Sequence, residues 1–187
     1  MAKKINREFP FMGVNHVALV CKDMARTVEF YRDVLGMPLI KTLNLPGDRG
    51  QHFFFDCGNG DAVAFFWFRD APPPAPGIAA PSAMPTRGSF VSAMGSMNHL
   101  AFNVAADRFD ECHERLLTKG IDVTIILNHD NSPTQVSKDL TDEVYVRSMY
   151  FFDPDGICLE IAAWTGEFDQ NDALVAPVTA SGLPVAG

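Results

Sequence analysis

A chain of 187 residues and 20.5 kDa, with 47% hydrophobic and 20% charged side chains, is large enough to bury a core unaided and lies in the ordinary globular range. Its 23 acidic against 15 basic side chains leave a formal charge of -8, so nothing electrostatic draws it to nucleic acid or anionic lipid, and no apolar run has the length that crosses a bilayer. Fibrous, disordered and membrane-spanning classes are excluded, and neither a nucleic-acid nor a membrane partner is expected.

Residues 1–12 are an N-terminal extension carrying Lys3, Lys4 and Arg7. No secretory apolar core follows them, so a cytoplasmic location is expected. The first module, 13–68, opens on a predicted strand over 13–20. Asp23 then serves as N-cap of a helix whose stripe is Val28, Tyr31, Val34 and Leu35 and whose stop is Gly36. Three β-type runs follow at 39–45, 51–57 and 62–68. The segment 69–95 is rich in Pro and Ala, with Pro72, Pro73, Pro74, Pro76, Pro81 and Pro85. Proline cannot supply the hydrogen bonds of a helix or central strand, so the segment is a linker or a lid.

The second module, 96–165, repeats the first. Gly13-Val14-Asn15-His16-Val17-Ala18 returns as Ser96-Met97-Asn98-His99-Leu100-Ala101, an offset of 83 residues. Asp107 is the expected cap of its helix, Phe109, Cys112, Leu116 and Leu117 the stripe, and Gly120 the stop. Strands are expected at 123–127, 144–152 and 157–163. Residues 166–187 form a C-terminal tail without periodicity. Cys21, Cys57, Cys112 and Cys158 lack any CxxC spacing and read as small hydrophobes rather than as a disulfide or zinc framework.

Alternate residues of a strand share a face. His16 therefore lies with Ala18, His99 with Ala101, and Glu160 with Cys158 and Ala162. An acid inside the run Ile157 to Ala162 is costly unless it is paired or holds a cation. His16, His99 and Glu160 thus occupy inward positions of a duplicated unit, and a duplicated sheet curled into a half-barrel would gather them. Two imidazoles and a carboxylate form the facial triad suited to non-haem Fe(II). Ala62, Ala64, Phe66 and Phe68 share one parity and are joined by Phe54 and Phe152, so the expected cleft is apolar and aromatic. His113 and His129 are expected to face solvent.

Three stretches carry a resemblance: Asn15-His16-Val17-Ala18-Leu19, Thr27-Val28-Glu29-Phe30-Tyr31-Arg32-Asp33-Val34-Leu35-Gly36-Met37, and Tyr150-Phe151-Phe152-Asp153-Pro154-Asp155-Gly156-Ile157-Cys158-Leu159-Glu160. From about Met12 to Thr165, apart from the insert, the chain resembles the vicinal oxygen chelate superfamily of glyoxalases, extradiol dioxygenases, epimerases and fosfomycin- and bleomycin-resistance proteins. The resemblance implies an α+β fold of two tandem βαβββ modules forming a curved half-barrel sheet around a metal cleft, with metal ligands at His16, His99 and Glu160.

Glyoxalases and epimerases of this superfamily place a further Glu or Gln where this chain has Ala64, so the resemblance is to the three-ligand branch. It implies Fe(II), with Mn, Zn or Ni as alternatives, and a dioxygenase acting on a small aromatic, catechol-like or hydrophobic oxygenated substrate. Tyr150 would contact a substrate hydroxyl. The acid/base histidine of the dioxygenases has no counterpart in 82–98, and His52, which strand parity points to the cleft, is the available substitute. Ala18 stands where fosfomycin transferases carry a threonine. A lyase or isomerase on a non-redox metal and a non-catalytic drug-binding protein are the alternatives. Superfamily members commonly complete their clefts by pairing modules within or between chains, so a homodimer is expected.

Overall fold

The computed structural model describes residues 8–169 and 171–182. Residues 1–7 of the N-terminal extension, and 170 and 183–187 of the tail, lie outside the described residues. The strands are β1 (His16–Val20), β2 (Leu39–Asn44), β3 (Gly50–Gly58), β4 (Asp61–Phe68), β5 (Leu100–Asn103), β6 (Leu127–His129), β7 (Val146–Phe152) and β8 (Cys158–Trp164). They make two four-stranded mixed sheets, ordered β1-β4-β3-β2 and β5-β8-β7-β6. In each sheet the first strand pairs parallel to the last and the other pairings are antiparallel. The fold is α+β, and the repeat read from the sequence is a repeat of topology.

The helix of the first half begins as α1 (Met24–Val28) and widens into a π-helical turn over Glu29–Val34. Asp23 caps it, its Oδ1 accepting from the backbone N–H of Ala25 at 2.9 Å and Arg26 at 3.2 Å. Gly36 ends it at φ +77°, a conformation that favours glycine. An α-helical stripe includes Tyr31 but not its neighbour Phe30. The wider turn buries both, Tyr31 completely and Phe30 to 7% exposure, which accounts for the departure from α geometry.

In the second half the expected cap fails. Asp107 sits inside a 3-10 turn (Ala106–Arg108), and Arg108 stands at the N-cap of α2 (Phe109–Thr118) with no side-chain cap hydrogen bond. Its first turn is instead tied down by Asp110, which accepts from Arg147 Nη1 at 3.1 Å and Nη2 at 2.7 Å. The run expected at 123–127 keeps only an isolated bridge from Val123 to Phe151, and the strand forms later, as β6. Thr124 explains the shift, since its N–H and hydroxyl are committed to the Tyr150 backbone.

One hydrophobic core joins the two sheets. Phe55, Val63 and Phe65 come from the first, Met149, Phe151, Leu159 and Ala163 from the second, and Phe30, Tyr31, Phe109 and Leu116 from the helices. All four cysteines are free. No helix among the described residues is long and apolar enough to cross a membrane.

A polar link crosses this core. Tyr31 Oη donates to Asp153 Oδ2 at 3.2 Å, while Asp153 Oδ1 accepts from the N–H groups of Asp155 and Ile157, both at 2.9 Å. Burial pushes the Asp153 carboxyl up to about 6, outweighing the donors that favour its charge. A folded value above the unfolded one means that the associated stability is complete below about pH 4 and is lost as pH rises through 6. Unfolding free energies from denaturant titrations between pH 4 and 7 should therefore fall by about 2–3 kcal/mol more for the wild type than for Asp153→Asn.

Candidate metal centre

The second sheet carries three of the candidate residues. Register places Glu160 of β8 opposite both Ala101 of β5 and Tyr150 of β7. His99 stands just before β5, its Nε2 lying 3.0 Å from Glu160 Oε2. Glu160 is only 5% exposed. Burial works to raise its carboxyl, but hydrogen bonding and charge from His99, with Ser148 and Tyr150 close by, hold it below the usual glutamate range. The Tyr150 ring meets His99 edge-on at 5.6 Å. Burial, reinforced by the Glu160 charge, keeps the Tyr150 hydroxyl protonated far above its ordinary range.

The first sheet carries the other two candidates. His16 opens β1, and its ring meets Phe54 of β3 edge-on at 5.8 Å. His52 packs on Phe54 at 4.3 Å and on Phe66 at 3.6 Å between ring centres, while Phe66 stacks on Phe68 at 5.1 Å. Burial, helped by the His16 charge, pushes the His52 imidazolium toward its neutral form. Ala64, fully buried, holds the place equivalent to Glu160 and offers no donor.

Each candidate histidine is aimed by the asparagine before it. Asn15 Oδ1 lies 2.7 Å from His16 Nδ1, and Asn98 Oδ1 lies 2.8 Å from His99 Nδ1. The amide oxygen takes the Nδ1 proton, which leaves Nε2 as the metal-facing nitrogen, the usual arrangement around a ligating imidazole. The chemistry of the donors therefore fits a divalent metal.

One chain brings together His99, Glu160 and Tyr150 but leaves His16 and His52 on the other sheet. Among the described residues no three His, Cys, Asp or Glu side chains converge to hold a metal. The reason is the shared core. Residues of one parity turn toward it from both sheets, so the opposite faces, which carry the candidate ligands, turn away from each other. His16, Ala18 and Val20 of β1 are exposed, as are Ala101 and Asn103 of β5, and each of these strands is paired on one side alone.

Of the other histidines, His129 lies half-buried in β6. His113, expected in solvent, is also half-buried and faces the Thr124 carbonyl oxygen through Nε2 at 3.2 Å, tying α2 to that segment. Sequence reasoning missed Ser148. Its buried hydroxyl sits beside Glu160 and Tyr150, and His52 Nε2 is buried without a hydrogen-bond partner. The offset of His52 to Ser148 in the chain matches that of Phe54 to Tyr150 and of Ala64 to Glu160, so extending the repeat to its last strands would have singled Ser148 out.

The family model of the Glyoxalase/Bleomycin resistance protein/Dioxygenase superfamily matches residues 13–161. Among solved structures, a glyoxalase family protein from Enterococcus faecalis is 22% identical with a TM-score of 0.56, over 81% of this chain and 98% of its own. A domain of the same superfamily from Frankia sp. EAN1pec is 17% identical with a TM-score of 0.59, over 87% and 98%. The fosfomycin resistance protein FosX from Listeria monocytogenes, in a complex with Mn(II) and sulfate, is 18% identical with a TM-score of 0.51, over 83% and 94%. With its duplicated topology and a family match that takes in both sheets, the chain belongs to the Glyoxalase/Bleomycin resistance protein/Dioxygenase superfamily.

Proposed function

We propose that the protein is a metal-dependent enzyme of the dioxygenase type, acting on a small aromatic or hydrophobic substrate with neighbouring oxygens, and that its centre is completed by a second copy. In that assembly His16 and His52 of one copy face His99, Glu160 and Tyr150 of the other. The observation that carries the reading is the His99–Glu160 contact at 3.0 Å, with His99 and His16 oriented alike by their asparagines on faces that one chain cannot bring together. The unpaired edges of β1 and β5 support it, because an open strand edge beside exposed apolar residues invites a further strand. Divalent metal chemistry in the superfamily is represented by FosX with Mn(II).

A divalent metal held by His16, His99 and Glu160, Fe(II) by donor type, would bind adjacent substrate oxygens, acidify a hydroxyl and leave room for a second reactant. Ala64 supports this count, since it withholds a fourth protein ligand. Tyr150, its hydroxyl protonated, donates a hydrogen bond to a substrate oxygen. His52, with Nε2 unpartnered, accepts a substrate proton. The rings of Phe54, Phe66 and Phe68 exclude water and favour a flat ligand over a phosphonate.

Protein loaded with Fe(II) under anaerobic conditions and then exposed to oxygen should consume it with a suitable catechol. In Tyr150→Phe turnover should fall by about ten- to a hundredfold with metal content intact, the value of one hydroxyl contact made in the transition state. Absence of oxygen uptake with every catechol, together with lyase or isomerase turnover under nitrogen, would replace the dioxygenase reading with a non-redox one.

A further inference from the structure

The segment 69–95 does not simply tether the sheets. Pro81 is fully buried and Met84 is 5% exposed. Met84 joins Leu127, Tyr150 and Cys158 in a small cluster separate from the main core, with Phe90, Val136 and Phe152 packed against it. Arg87 anchors the segment, donating to Asp122 Oδ1 at 2.6 Å and to the Val123 carbonyl oxygen at 2.7 Å. These contacts bring the Phe90 ring over His99 at 5.6 Å and 28°, and edge-on to Tyr150 at 5.7 Å.

Asn98 connects this cover to the candidate ligand. Its Nδ2 donates to the Phe90 carbonyl oxygen at 2.8 Å and to Ser92 Oγ at 3.3 Å, while its Oδ1 faces His99 Nδ1. One amide therefore grips the insert with its nitrogen and the histidine with its oxygen. His16 is oriented in the same way by Asn15 but is exposed, so the cover belongs to the second sheet.

We propose that the 69–95 insert is a wall of the ligand site in which Phe90 determines specificity, admitting a single aromatic ring beside His99 and Tyr150 and excluding fused bicycles. Asn98 is the positioning residue that latches this wall to His99. The proposal rests on the functional reading above. Its physical basis is that the Phe90 ring already occupies the stacking position on one face of His99 and the edge position against Tyr150, so a second fused ring would compete with it for that place. Phe90→Ala vacates that space without touching a metal donor. Asn98→Asp keeps an acceptor for His99 Nδ1 but removes the donor to the Phe90 carbonyl.

The test titrates 4-nitrocatechol, with one ring, and 2,3-dihydroxynaphthalene, with two, into the full chain loaded with Co(II), followed by calorimetry. The wild type should prefer the single ring by at least about tenfold, and Phe90→Ala should erase that preference with Co(II) affinity unchanged. An unaltered preference in Phe90→Ala overturns the specificity role.

The latch is read separately, by amide hydrogen exchange without diol. Asn98→Asp should speed exchange in 84–92 by about tenfold while the strand amides of 146–152 keep their wild-type rates, and Asn15→Asp should leave both regions unchanged. Unaltered exchange in 84–92 of Asn98→Asp overturns the latch whatever the ligand does. If neither diol binds the wild type, the functional reading fails and the specificity role falls with it, while the exchange result still decides the latch.

Discussion

Mixing His16→Ala protein with Glu160→Ala protein should restore about a quarter of the wild-type metal sites, although neither variant alone holds metal tightly. The expectation follows from two-fold symmetry. If each centre takes His16 from one copy and His99 and Glu160 from the other, a mixed dimer has one centre with both defects and one with none. Random reassortment makes about half the dimers mixed, and half of their centres are intact. Each homodimeric variant should lose more than the roughly 10- to 100-fold in affinity that disturbing an outer-shell partner costs, because a ligand itself is gone. The measurement is tightly bound Co(II) or Fe(II) per chain after mixing, a brief partial unfolding to exchange subunits, and gel filtration. Restoration to about a quarter supports the shared centre; no restoration, with the mixed dimer shown to form, means that each centre takes His16, His99 and Glu160 from a single copy and overturns the sharing. Full metal content in either variant alone would remove that residue from the ligand set.

The largest expected loss of stability is that of Phe151→Ala, about 3–5 kcal/mol. Phe151 is completely buried on β7, contacts Phe30 of the first half at 6.5 Å between ring centres and receives the Val123 bridge behind it. Truncation removes its own burial and leaves a cavity between a strand and a π-helical turn, each held by hydrogen bonds to the rest of its half and poorly placed to collapse inward. Since domains of this size are stable by only about 5–15 kcal/mol, the variant should unfold at a much lower urea concentration, with the two halves losing structure together. Leu117→Ala is the comparison. Leu117 lies on α2 and is 53% exposed, so its loss should stay within about 0.5 kcal/mol. An equally small effect at Phe151 would show that the core between the sheets contributes little to holding them together.

Much of this fold was legible in the residues. The Asn-His dipeptide occurs twice, each time ahead of a strand, and each copy is followed by a helix ending in glycine, so duplication and strand-helix-strand order were readable before any contact was known. Parity put His16, His99 and Glu160 at equivalent positions expected to point inward and be gathered by a half-barrel; the register sets Glu160 between Ala101 and Tyr150, but within one chain His16 stays on the other sheet. Local hydrogen-bond chemistry was legible where it depends on near neighbours, as with the Asp23 cap. It failed at Asp107, because the start of α2 is set by Arg147, a residue distant in the chain that holds Asp110 and lies over the Phe109 ring.

What the sequence by itself determined is therefore the repeat, the alternation along each strand and the identity of the residues on each face, since these depend on a backbone period of two and on neighbours a few positions away. Only the tertiary structure decided which faces meet. Tyr31, Phe55, Phe65, Phe109 and Phe151 lie in one buried cluster, and the two sheets of one chain join through those rings. The histidines turn outward in consequence, and the 69–95 insert settles over His99 rather than His16. A period of two says which side chains stand together on a sheet, but the partner of that sheet is chosen by the burial of large side chains far apart in the chain, and strand alternation carries no information about that choice.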